Sequence, residues 1–206
     1  MIFKRSLIVL TSLALSACSG LLQSRLPEPD VYTLTSASVE QAMPVHDPVL
    51  VVARPTVRAG LDTDRLAVTR EDRRSDVYAD ARWAAPLPKM VEGLLLDALR
   101  SATPARAVIS DHGAFRGRYL LQTEITEFTA DYSGGGKVPT VRVSLRGELG
   151  VPGERRLVAT VAGTGTAIAR LDQRHEVVAA YQAAWESAAS QLARSVDVAI
   201  EGLERP

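Results

Sequence analysis

The chain has 206 residues, with 24 lysines and arginines against 24 aspartates and glutamates and a formal net charge of zero. That balance argues against a nucleic-acid surface, which needs a basic excess or stripe to meet phosphate. A hydrophobic share of 46% and a charged share of 23% are those of a globular domain, and a single cysteine leaves no partner for a disulfide.

The first segment reads as a secretory signal peptide. Lys4 and Arg5 make a positive start, Leu7 to Leu15 an apolar run too short to span a bilayer as a mature helix, and Ser16 and Ala17 a small-residue end. A lone cysteine at an arbitrary position is ordinarily a small buried hydrophobe. This one follows the apolar run, and Leu15-Ser16-Ala17-Cys18 resembles the lipobox of bacterial lipoproteins at every position. The resemblance implies that residues 1–17 are removed, that Cys18 is the lipidation site, and that the new amino group is acylated, commonly with palmitate. Several chains, at about 0.8 kcal/mol per buried methylene, anchor a protein stably where one chain does not. Ser19 follows, not the aspartate that resembles an inner-membrane retention signal, so the expected location is the periplasmic face of the outer membrane. Residues 18–30 are expected to be a lipidated start and tether, with Pro27 and Pro29 keeping it extended.

Residues 31–206 are expected to form one periplasmic domain. Val31 to Thr35 predicts a first strand, and Val49 to Arg54 a second whose unbroken apolar run suggests burial on both faces. Leu61 to Thr69 reads as a turn feeding a strand, and Asp76 to Trp83 as another short strand. From Pro88 the period changes: Met90, Val91, Leu94, Leu95, Ala98 and Leu99 recur at helical spacing until about Ser101. Ala107 to Ser110 predicts a short strand. Three long strands follow, over Arg118 to Tyr132, Val138 to Leu149 and Arg156 to Arg170, joined by turns at Gly134–Lys137 and Val151–Glu154. In the middle one Val141, Val143, Leu145 and Leu149 alternate with Arg142, Ser144, Arg146 and Glu148, so one face is dry and the other wet. Val177, Tyr181, Trp185, Ala188, Leu192, Val196, Ile200 and Leu203 then line one side of a long last helix. The order predicts an α+β two-layer sandwich, a mostly antiparallel sheet with both helices on one face.

Little in this chain points to catalysis. Gly134-Gly135-Gly136-Lys137 lacks the upstream glycine, the following Ser or Thr and the helix of a phosphate loop, and reads as a hairpin tip. His46, His112 and His175 fall in separate expected loops, none with a ligand three or four residues away on a helix, so no metal site is expected. Asp62 and Asp64 are expected to cap a turn and hold Arg65 rather than act as acid and base. No cofactor is called for.

Tyr32-x-Leu34, the Leu61-Asp62-Thr63-Asp64-Arg65-Leu66 turn and strand, and Tyr78-x4-Trp83-x2-Pro86-x-Pro88 ahead of a leucine-rich helix together resemble the ABC-type transport auxiliary lipoprotein family, the PqiC-like lipoproteins associated with MCE-type lipid transport. The resemblance runs from about Tyr32 to the last helix. It implies a non-catalytic periplasmic domain that docks with an MCE-domain protein, with permease and ATPase as separate inner-membrane chains, and it permits a homo-oligomeric ring. Trp83 is expected in the core, clamping the first helix to the sheet, with Arg82 and Asp80 facing outward as a candidate interface. A lipid carrier, an envelope assembly factor without a transporter partner, and a periplasmic enzyme are the rival readings. The alanines and glycines of the last strand and helix, among them Ala159, Gly163, Gly165, Ala180, Ala184 and Ala188, favour close layers over a greasy cavity.

Overall fold

The computed structural model describes residues 28–36, 49–102, 107–113 and 115–205. The expected leader, the Cys18 lipidation site, most of the tether and the loop holding His46 lie outside them. Eleven principal elements follow one another: β1 (Asp30–Tyr32), β2 (Leu50–Val52), β3 (Thr56–Val57), β4 (Arg65–Thr69), β5 (Ser75–Trp83), α1 (Leu87–Ala102), β6 (Val108–Ser110), β7 (Tyr119–Asp131), β8 (Thr140–Val151), β9 (Arg156–Ile168) and α2 (Arg174–Glu204). The fold is an α+β sandwich built on one nine-stranded sheet.

The sheet is organised around β7. On one side it pairs with β8 and β8 with β9, an antiparallel meander that carries the longest registers in the molecule. Its other edge is divided among β2, β3 and β4, which run parallel to it one after another, from Leu50 opposite Tyr119 to Thr69 opposite Asp131. Beyond them β5 lies antiparallel to β4, β1 parallel to β5, and β6 parallel to β2. The five parallel pairings are two or three residues each, too short to leave the continuous apolar signature of a parallel sheet.

The alternation in β8 decides which face is covered. Val141, Val143, Leu145 and Leu149 are buried, whereas Arg142, Arg146 and Glu148 are exposed. Both helices pack together over the buried face. Helix α1 contributes Leu87, Val91, Leu94, Leu95 and Leu99, and α2 a stripe from Val177 to Ile200. Two expectations need correction here. Leu203, the last member of the expected stripe, is 36% exposed because it lies past the end of the sheet-facing turns. The apolar run of β2 is fully buried on one face only: Leu50 and Val52 enter the core, and Val51 is partly buried on the other, away from the helices.

Gly163 and Gly165 set the separation of the two layers. A Cβ at Gly163 would collide with the Ala188 carbonyl and stand 2.9 Å from the Leu192 nitrogen; one at Gly165 would collide with the Ala184 carbonyl and stand 3.0 Å from the Ala188 nitrogen. Backbone therefore lies against backbone, with Ala184 and Ala188 completing the contact from the helix, as the small residues of the sequence suggested. About one turn before Ala184 on α2, Tyr181 stacks on Phe128 with ring centroids 5.2 Å apart, and Trp83 meets both edge-on at 5.1 and 5.9 Å. Trp83 is 2% exposed. The Tyr181 hydroxyl donates to the Ala67 carbonyl at 2.7 Å, so this buried hydroxyl is satisfied.

Replacing Gly165 with alanine should lower stability by about 1–3 kcal/mol, the usual cost of overpacking a closed interface. Ala162→Val, on the exposed face of the same strand, should stay within about 0.5 kcal/mol. Thermal melts of the two variants check this, and equal melting temperatures would show that α2 does not sit on β9 this closely.

Candidate functional site

The sequence singled out Asp80 and Arg82 on β5. Both are exposed, on the side of the strand opposite Ala81 and Trp83. Asp80 already has an intramolecular partner: Arg174, at the start of α2, lies 3.5 Å from its carboxylate and 3.3 Å from that of Asp30. Arg82 stands between Val31 of β1 and Arg65 of β4 in the strand registers. The loop before β4 works through its main chain. The Asp64 carbonyl accepts the Trp83 N–H at 2.6 Å, the Thr63 carbonyl accepts the Leu87 N–H at 3.0 Å, and the Thr63 hydroxyl accepts the Arg65 N–H at 3.2 Å. Among the described residues neither Asp62 nor Asp64 forms an ion pair with Arg65, contrary to expectation. Thr63 satisfies the turn that the carboxylates were expected to cap.

Another cluster was invisible to local spacing. His112, after β6, places Nδ1 2.7 Å from Asp111 and Nε2 3.2 Å from Glu92 of α1. The Arg54 guanidinium donates to Glu92 at 3.0 Å and approaches His112 Nε2 at 2.9 Å. Three possible ligand atoms thus lie within 4.8 Å of one another, but a guanidinium already supplies the cation beside two of them. The group reads as a staple joining β2, α1 and the loop after β6.

Two clefts of comparable size open on the surface, and neither lies between the sheet and α2. One, of about 500 Å³, runs between the helices over Leu94, Ala98, Trp185 and Ala189. Its rim is held by Gln182, which accepts the Thr35 N–H at 2.9 Å and donates to the Thr35 carbonyl at 2.8 Å, and by Ser36, which donates to Asp97 at 2.5 Å. The other, of about 540 Å³, is walled by the chain from Arg54 to Ala59, by Asp62, and by the Pro86–Lys89 entry to α1.

The architecture defines a small two-layer domain with a filled interior and its charged groups at the surface. A family model for the ABC-type transport auxiliary lipoprotein component matches residues 32–193, and the chain belongs to that family. It is therefore an envelope-associated auxiliary component of ABC-type transport. A crystal structure of a Xanthomonas campestris protein superposes with a TM-score of 0.75 at 23% identity, covering 86% of this chain and 99% of that one. A second, uncharacterised crystal structure gives 0.59 at 19%, covering 84% and 98%. Both show the fold. The PelC dodecamer of Paraburkholderia phytofirmans is more remote, with a TM-score of 0.41 at 15% identity over 77% of this chain and 93% of that one. No curated protein matches the chain.

A chain of hydroxyls ties β5 and β7 to the approach of α2. The Tyr78 and Tyr132 hydroxyls are 2.6 Å apart, and Tyr132 donates to Asp172 at 2.5 Å. Burial, then the Asp172 carboxylate, pushes the Tyr132 phenol far above its ordinary value; burial raises Tyr78 as well. A folded-state pKa raised in this way gives stability that is complete below the unfolded value, about pH 10, and is lost as pH rises beyond it. Melting temperature should hold between about pH 7 and 9 and fall above about pH 10. Tyr132→Phe should lose about 1 kcal/mol at neutral pH and show a shallower alkaline fall. An equally steep fall would show that Tyr132 is not the group responsible.

Proposed function

We propose that this chain is a non-catalytic docking subunit of an MCE-type ABC lipid transporter, held at the periplasmic face of the outer membrane by lipid on Cys18. Residues 1–17 are its leader, residues 18–30 its anchor and tether, and residues 31–206 its periplasmic domain. It meets an MCE-domain protein whose permease and ATPase sit in the inner membrane. The observation that supports docking over carriage is the contact of α2 with β9: Gly163 and Gly165 let helix backbone touch strand backbone, and no acyl chain fits between layers that close. A carrier is the second reading, favoured by the cleft of about 500 Å³ with its Trp185 and Leu94 floor.

Affinity purification of the full lipidated chain from membranes containing the candidate transporter subunits tests the proposal. The MCE-domain protein should be recovered with permease and ATPase, and Arg82→Glu should reduce recovery without lowering the melting temperature. Recovery of none of the three would end the docking reading. Cys18→Ser should remain an uncleaved precursor without lipid label; a processed variant still in the outer-membrane fraction would refute the anchor.

A further inference from the structure

We propose that the cleft at the entry to α1 receives an extended acidic segment of the protein partner. The inference rests on the docking reading and names the chemistry of the contact. Three cations line this cleft of about 540 Å³, Arg54, Arg58 and Lys89, against one carboxylate, Asp62. Arg54 is held from one side by Glu92. Arg58 and Lys89 are exposed, and among the described residues no ion pair engages either.

Elsewhere on the surface Arg70, Arg142, Arg156 and Arg205 each meet a carboxylate of the chain itself, and cations such as Lys137 and Arg170 stand exposed singly. Arg58 and Lys89 differ in converging on one recess beside Arg54. Helix α1 adds to the field, because its first turn carries no acidic residue to offset the positive end of its dipole. A second observation points the same way. Arg65 and Arg82 stand directly opposite each other across β4 and β5, a like-charge pairing that destabilises a sheet and that an acidic neighbour would relieve. Asp62 links the two features, since it lines the cleft three residues before Arg65.

The shape selects among anions. Pro55, Pro86 and Pro88 stiffen the walls of a recess, which an extended peptide can enter and a planar bilayer cannot. The full chain has no net charge, and loss of Lys4 and Arg5 with the leader leaves the mature chain slightly negative, so its net charge gives no long-range attraction to an anionic membrane. Electrostatic complementarity of this kind gives the partner orientation and speed of encounter, and it weakens with salt.

The test uses the mature lipidated chain in neutral detergent and two charge-reversed variants. Arg58→Glu with Lys89→Glu removes the cleft charge; Lys137→Glu with Arg170→Glu makes the same net change at exposed positions elsewhere. Fluorescence anisotropy with a labelled glutamate-rich peptide should show binding that falls with salt. It should weaken about tenfold or more in the cleft variant and remain within about twofold in the control. Equal loss in both variants would reduce the effect to net charge and overturn the proposal. Binding to phosphatidylglycerol vesicles without binding to the peptide would overturn it in favour of a membrane contact. Capture of the MCE-domain protein separates the two levels of the argument. If the wild type and the cleft variant capture it equally, the cleft assignment fails and docking stands. If the wild type captures nothing, docking fails and the peptide measurement alone decides the cleft.

Discussion

The placement of α2 on β9 is the constraint from which the rest of the molecule follows. At Gly163 and Gly165 there is no side chain between helix and strand, so the distance between layers is set by backbone. The core is correspondingly thin there and is filled by alanines on α2 with Leu192 beside them. The same closeness protects the sheet. β9 is a long edge strand, and such edges invite pairing with other chains. Gln191 of α2 accepts the Thr164 N–H at 2.7 Å and so occupies a donor in the middle of that edge. One helix thus closes the interior and guards the border.

Toward its N-terminal end α2 needs a different solution, because the layers there are separated by large side chains. Trp83, Phe128 and Tyr181 fill the space, and each comes from a different part of the chain: the end of β5, the middle of β7 and the second turn of α2. Trp83 sits inside the segment that carries the family resemblance, which helps explain why that segment is informative. Its buried residues fasten α1 and β5 to the core, while Arg82 projects away from the core and Pro86 and Pro88 wall a charged cleft. Buried and exposed residues alternate along this segment because a strand sends successive side chains to opposite faces.

Much of this was legible in the sequence wherever burial has a period. The alternation of β8 and the helical stripes of α1 and α2 gave their elements to within two or three residues at each end, and the small residues around Gly163 foretold the close layers. What could not be read was non-local. β3 is two residues long, and its pairing with β7 leaves no pattern of its own. The division of one edge of β7 among three parallel strands is a property of chain path, not of any window. Glu92 and His112 are twenty residues apart in sequence and 3.2 Å apart in space, so a search for ligand spacing along a helix passes over them. Tyr78, Tyr132 and Asp172 are likewise joined only by the fold. The cleft at α1 was missed for a related reason: Arg58 and Lys89 are unremarkable singly, and only their convergence beside Arg54 makes a charged recess.

On the proposed docking role, an accessory domain whose layers touch along their backbones holds no cargo between them and contributes position. Native mass spectrometry of the mature chain from neutral detergent tests this most directly, because it separates the proposed covalent anchor on Cys18 from anything bound without a bond. The account requires a mass equal to polypeptide plus anchor. A phospholipid retained at one per chain, surviving detergent exchange, would contradict it and make the cleft between α1 and α2 a carrier site.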